Sequence, residues 1–118
     1  MIFVFAILLL CAHEGAHVVT TLYYGGRFQG LVYPRWFAIG VRLRVDGFTR
    51  TQIRHTLIAA PVAELMVTAL ACIGDPRLWV GWISIEALQL LANWGPWGSF
   101  PNDGHQYRRV ARSAAGSP

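Results

Sequence analysis

The chain contains no lysine: its ten basic residues are all arginines, set against six acidic residues for a net charge of +4. Charged residues of either sign fill only 14% of the 118 positions, hydrophobic residues fill 54%, and mean hydropathy is +0.40. Both fractions lie well away from the soluble average, which makes a membrane protein the first class to consider. No module interleaving aromatic and basic residues is present, so nucleic acid is not an expected partner, and the arginines read as markers of membrane orientation. Cysteine is nearly absent. Cys11 and Cys72 lie in apolar stretches without CxxC or other metal spacing, so each is expected to be a buried small hydrophobe. No charged n-region precedes the first apolar run and no small-residue cleavage site follows it, so a cleaved secretory signal fits poorly. Leu10 stands where a lipoprotein would carry a small residue before Cys11. There is no internal repeat, and the length suits one domain rather than two with separate cores. The expected division is a single membrane-embedded core over residues 1–108 and a basic, flexible tail over 109–118.

Three stretches are strongly apolar. Residues 1–22 are interrupted only by His13, Glu14 and His17, and approach the ~20 residues that cross ~30 Å of hydrocarbon. Residues 56–74 are long enough to cross again, with Thr49 or Thr51 as the cap and Gly74-Asp75-Pro76 as the stop. Residues 78–94 form a shorter apolar helix with Trp79 and Trp82 at one end and Trp94 and Trp97 at the other, as expected of interfacial anchors. Residues 25–47 bring glycines, aromatic residues and the alternation Val41-Arg42-Leu43-Arg44-Val45, which predicts two short strands with a bend near Tyr33-Pro34. Residues 95–104 hold two prolines and three glycines and cannot be regular helix. The expected fold is therefore a mainly α membrane protein, with three transmembrane helices and a β-hairpin between helices one and two. Six arginines between the first two spans (27, 35, 42, 44, 50, 54) and three after the third (108, 109, 112), against Arg77 alone between spans two and three, predict a cytoplasmic hairpin and C-terminus with Met1 outside. At 1.5 Å per residue His13 lies ~18 Å from Met1, in the cytoplasmic half of the bilayer.

Ionisable groups inside a span cost on the order of 2.5 kcal/mol or more each and point to function. His13 and His17 are one helical turn apart on one face, where two imidazoles can reach one divalent metal. Glu14 lies about 100° round from His13, able to act on water at the metal without being a ligand. The pattern is HExxH. A catalytic zinc needs a third protein ligand and one open position. Asp103, His105, Glu64 and Glu86 are the candidates. Asp103 is the first choice, because it sits in the Pro/Gly-rich break on the same side as the HExxH. His105 comes second, with an interfacial or supporting role as its plainer reading, and His55 is read as interfacial. Glu86, Gln89 and Asn93 form one polar stripe on helix three, and Glu64 with Thr68 another on helix two; both should face the bundle interior. Their carboxylates either orient the histidines through the second ring nitrogen or satisfy one another.

HExxH in the first apolar helix, Ala59-Ala60-Pro61-Val62-Ala63-Glu64 in the second, and Asn93-x-x-Pro96 followed by Asp103-Gly104 after the third together resemble the site-2 protease family of intramembrane zinc metalloproteases, over roughly residues 1–108. The resemblance implies a minimal core of three membrane helices with a hairpin after the first. It further implies one Zn2+ held by His13, His17 and Asp103, with Glu14 as general base and Asn93 and Pro96 shaping the substrate site. Against the family's Gly-Pro-x-x-Asn motif, Ala60 replaces the glycine, Pro61 is retained and Glu64 replaces the asparagine, adding a charge that must pair or protonate. The gap from Pro96 to Asp103 is about two residues longer than in the family, and Gly104 is followed by His105 rather than by a second glycine, so His105 stays open as the alternative ligand. No PDZ or cystathionine-synthase-like domain is appended, so regulation would come from a separate membrane partner.

The implied activity is hydrolysis of a peptide bond inside or beside a membrane-spanning segment of another membrane protein. The strands over residues 28–45 would offer an edge to an unwinding substrate, or else lie on the membrane surface as an amphipathic hairpin. The competing expectation is a catalytically inactive membrane scaffold or helix-binding protein that keeps the fold. A metal carrier is a third, disfavoured because one compact site with an adjacent base is poorly built for transport.

Overall fold

Five buried residues of the first helix recur every four positions, and that stripe organises the packing of the chain. The computed structural model describes residues 1–35, 38–95 and 102–115. In it α1 runs Ile2–Tyr23 and buries Phe5, Leu9, His13, His17 and Thr21. Residues four apart make one ridge of a helix, and such a ridge fits the groove of a neighbour. The main neighbour is α2, Arg50–Gly74, which buries Thr56, Leu57, Ala60, Glu64 and Thr68. Thr49 rather than Thr51 is its cap: the Thr49 hydroxyl accepts from the Gln52 N–H at 3.3 Å, and Gln52 Oε1 accepts from the Thr49 N–H at 2.8 Å. This reciprocal box starts the helix six residues before the apolar run. Asp75 then accepts from the Arg77 N–H, and one 3-10 turn over Pro76–Leu78 leads into α3, Trp79–Trp94. The last helix, α4, spans Asp103–Ala115 and passes without a break through the boundary expected at residue 108.

The helices number four among the described residues, and two of them, α1 and α2, are long and apolar enough to cross a membrane. The expectation of three full spans is corrected here. With 16 residues α3 reaches only ~24 Å, short of ~30 Å of hydrocarbon. A small apolar core joins Phe5 and Leu9 of α1 to Trp82 of α3, flanked by Val67, Ala71, Cys72 and Ile85. The Phe5 and Trp82 rings pack with centroids 4.6 Å apart, so Trp82 belongs to the core and is not the anchor expected, while Trp79 stays exposed. Cys11 is also corrected: it falls off the four-residue stripe onto the outward face and is exposed, whereas Cys72 is half-buried against the core. Phe3, Ile7, Leu8 and Val19 of α1 and Leu65, Met66, Leu70 and Ile73 of α2 likewise face outward.

The hairpin pairs β1, Arg27–Arg35, antiparallel with β2, Ala38–Arg44, placing Leu31 opposite Val41. The register shifts between Val32 and Arg35, so Tyr33-Pro34 falls at an irregularity within β1 and not at the bend expected there, and residues 36–37 lie outside the described residues. Gly26 seats the hairpin on the end of α1, where a Cβ would stand 2.5 Å from Thr21 Cγ2 and 2.7 Å from the Arg44 carbonyl.

A second close approach holds α4. A Cβ on Gly104 would lie 2.7 Å from both Cα and O of Trp94, so only glycine lets α4 start against the end of α3. Asn102 clamps the same junction, its amide donating to the carbonyls of Ala92 and Gly95 at 3.0 Å while Oδ1 accepts from the His105 N–H at 2.8 Å as the cap of α4. The Arg108 guanidinium donates to the Trp94 carbonyl at 3.2 Å, serving the unpaired end of α3. Arg54 of α2 donates to the Tyr107 hydroxyl at 2.7 Å and lies over its ring. Overpacking of this kind costs about 1–3 kcal/mol. Gly104→Ala is therefore expected to lower the thermal midpoint followed by circular dichroism in detergent. Gly81→Ala in α3, where nothing lies within 4 Å of the added Cβ, should leave it unchanged or raise it through the ~1 kcal/mol helix preference of alanine. Equal midpoints for the two variants would contradict the close approach.

Candidate metal centre

The stripe on α1 changes chemistry along its length, from Phe5 and Leu9 to His13 and His17, which are only 4% and 6% exposed. Because α1 is regular through this stretch, the two imidazoles stack one turn apart, with ring centroids 4.8 Å apart and planes nearly perpendicular. Asp103, the first residue of α4, reaches between them. Its Oδ2 stands 2.9 Å from His13 Nε2 and 2.8 Å from His17 Nε2, and the two Nε2 atoms are 3.3 Å apart. Asp103 is aimed by the start of a helix, fixed by Asn102 and Gly104, rather than by the irregular backbone expected from the prolines and glycines.

The outward nitrogens decide what the inward ones can do. His17 Nδ1 lies 2.9 Å from the Thr56 carbonyl, which can only accept, so this nitrogen carries the proton and Nε2 offers its lone pair. His13 Nδ1 lies 3.1 Å from Glu64 Oε1, an oxygen that also accepts from the Gln89 amide at 2.6 Å. The amide of Asn93 stands 3.4 Å from the same ring nitrogen. Two imidazole lone pairs and a carboxylate oxygen thus converge on one point, and what such a set shares is a cation. Three tetrahedral ligands at about 2.0–2.1 Å from zinc stand ~3.3 Å from one another. The edge between the two nitrogens already has that length, and the two edges to Asp103 need open only about half an ångström. Burial by itself raises the Asp103 carboxyl, but imidazole protons standing in the place of such a cation outweigh it through hydrogen bonds and charge, and hold the group below the usual carboxylate range. It therefore stays in the anionic form that ligates. His13, His17 and Asp103 lie close enough to hold a metal ion.

Glu14 is half-buried, and its Oε2 accepts from the Val41 N–H of β2 at 3.1 Å. Since that N–H serves Glu14, it points away from β1, and the free edge of β2 faces the helix that carries both histidines. Glu86 does not reach a histidine; it accepts from the Thr68 hydroxyl at 3.0 Å, and it is Glu64 that backs a ring. The side chain of His105 is exposed on α4, away from the site, and only its backbone N–H contributes, to the Asn102 cap. His55 is exposed and bonded to the Tyr24 hydroxyl at 2.7 Å. Pro96 lies outside the described residues. Asn102 and Thr56 were not singled out in the sequence. An asparagine directly before Asp-Gly is a helix-cap signal that could have found the first. The second acts through its backbone carbonyl, which no residue type in the sequence announces.

No protein-family model, curated protein or solved structure matches this chain. Metal content of the purified protein tests the centre. His17→Ala and Asp103→Ala are each expected to lose most bound metal, whereas His105→Ala, altering a side chain exposed on α4, should retain it. Loss in His105→Ala with retention in Asp103→Ala would reverse the assignment of the third ligand.

Proposed function

We propose that the protein is an intramembrane zinc metalloendopeptidase that cleaves transmembrane or membrane-proximal segments of other membrane proteins. The observation that carries the reading is the His13–His17–Asp103 cluster with Glu14 beside it on the same helix. A two-nitrogen, one-oxygen donor set suits zinc, with a fourth position left for reactants. The membrane setting is supported by the direction of the side chains. Only 22% of the apolar window of each long helix is buried, unlike a soluble core helix, while the enclosed positions hold His13, His17, Thr21, Glu64 and Thr68. Apolar surface turned outward over two helices suits lipid rather than water. On this reading α1 and α2 span the bilayer, α3 leads the chain back through most of its thickness to the level of the centre, and the arginine count sets the hairpin and α4 on the cytoplasmic side with the centre towards that side.

When bound, zinc lowers the pKa of water and polarises the scissile carbonyl. Glu14 takes the proton from the attacking water and returns it to the leaving amine. His13, His17 and Asp103 hold the geometry. The orientation of β2 supports the edge-addition reading of the hairpin over that of a simple surface rest. An extended peptide added beside β2 would have its backbone satisfied while lying next to Glu14, and a transmembrane segment must unwind into such a form before it is cut. The Val41 N–H then has a peptide carbonyl to serve, which frees the Glu14 carboxylate to act as base.

Glu14→Gln separates this function from that of an inactive scaffold. Removing a general base costs roughly 10²–10⁴ in rate, so cleavage of a reporter transmembrane substrate in reconstituted vesicles should fall by that factor while bound metal is retained. Cleavage at the wild-type rate in Glu14→Gln would end the protease assignment.

A further inference from the structure

The two histidines of the centre are equivalent in the HExxH pattern but not in how they are held. His17 rests on a backbone carbonyl, that of Thr56, which every residue type would supply. His13 rests on a side chain. We propose that Glu64 is a positioning residue of the metal centre, which orients the His13 ring and strengthens it as a ligand, so that this one carboxylate sets the affinity for zinc. The inference rests on the metal-centre reading above and deepens it.

Glu64 is fully buried at the crossing of α1, α2 and α3, and one of its oxygens makes both contacts: 3.1 Å to His13 Nδ1 and 2.6 Å to the Gln89 amide. The chain of contacts Gln89–Glu64–His13 crosses all three helices and fixes the carboxylate plane, and through it the ring. Holding the proton on Nδ1 leaves the Nε2 lone pair towards Asp103, and an anionic acceptor makes that lone pair more basic than a carbonyl does. The choice of residue argues the same way. A glutamine at this position would offer an acceptor of equal reach at a lower cost of burial. Instead Glu64 carries a second oxygen, Oε2, that is buried and without a hydrogen-bond partner among the described residues. Among the described residues Glu86 also has an unpartnered buried oxygen, so what singles out Glu64 is its contact with the His13 ring. A divalent ion on two neutral imidazoles and one carboxylate leaves net positive charge in an apolar surround, and a further anion one ring away lowers its cost. Glu86 provides an internal comparison: it is equally enclosed on the neighbouring stripe, but its partner is the Thr68 hydroxyl and no ligand touches it.

The test uses full-length protein in detergent, titrated with Zn2+ against a chromophoric chelator, for wild type, Glu64→Gln and Glu86→Gln. Loss of a carboxylate behind a ligating histidine weakens metal binding about 10- to 100-fold. Glu64→Gln should show that loss, and Glu86→Gln should stay within about twofold of wild type. In the Co2+-loaded protein the visible absorption bands should shift for Glu64→Gln alone, a change that a packing role would not produce. Glu64→Asp, which keeps the charge but withdraws it by one methylene, should weaken binding as well and serves should Glu64→Gln not fold. Wild-type affinity in Glu64→Gln overturns the proposal and leaves the metal centre standing, and equal weakening in Glu64→Gln and Glu86→Gln overturns it too. A wild-type protein that binds neither Zn2+ nor Co2+ overturns the metal centre itself, and the role of Glu64 with it.

Discussion

Four ring nitrogens lie on two buried side chains, and each must find a partner or cost several kcal/mol. Meeting that demand ties three other elements to α1. The α2 helix meets both outward nitrogens, with the Thr56 carbonyl at one level and the Glu64 carboxylate two turns further on. The inward pair is met by Asp103 from α4. The α3 helix touches the rings only at the periphery, through Asn93, but it holds the group that holds His13, because Gln89 donates to Glu64. The arrangement is over-determined around His13 and singly supported around His17.

Bringing Asp103 to the histidines from 86 positions away requires a junction as exact as the site. Helix α3 ends with unpaired carbonyls and α4 begins with unpaired N–H groups, and the two ends lie against each other. Asn102 serves both, donating to the first set and accepting from the second, while Arg108 reaches back to the Trp94 carbonyl. Gly104 allows the contact, since any side chain there would meet the Trp94 backbone. The last residues of the expected core are structural: Arg108 closes α3 and Tyr107 receives Arg54 of α2, while Arg109 and Arg112 of the expected tail are exposed.

Local features were legible, and one long-range feature as well: Asp103, the first choice to join the two histidines, lies against them. The histidine pair, a cap at Thr49 or Thr51, the strand alternation and the stop at Gly74-Asp75-Pro76 each depend on residues within a few positions of one another, and local pattern reveals them; the structure picks Thr49. The inward direction of the Glu86, Gln89 and Asn93 stripe was legible too, because three polar residues on one face of an apolar helix have nowhere else to go. Cys11 and Trp82 were misjudged for one shared reason. In a helix that is apolar all round, hydropathy no longer reports burial, and the packing stripe has to be read from the polar residues instead. The stripe through His13 and His17, extended backward by fours, passes through Leu9 and Phe5 and leaves Cys11 outside. Trp82 is placed by the same stripe, since it packs on Phe5. The expected bounds of α3, 78–94, agree with Trp79–Trp94 to one residue; counting it as a full span rested on its apolar composition, and 16 residues are too few for that.

The contrast between the histidines also separates what sequence change can reach from what it cannot. Thr56 holds His17 through a carbonyl that survives any substitution preserving the helix, so this half of the centre is fixed by the fold. The support of His13 is a side chain, Glu64, three residues after Pro61, and it varies independently of the backbone. An asparagine there would be one methylene shorter and neutral. The glutamate is longer, charged and placed at Nδ1. The two residues share a helical position, yet only the glutamate puts a negative charge behind a ligand. A departure from the pattern that looked in the sequence like an unpaired cost therefore lies in contact with the metal centre, where an extra anion has a physical use.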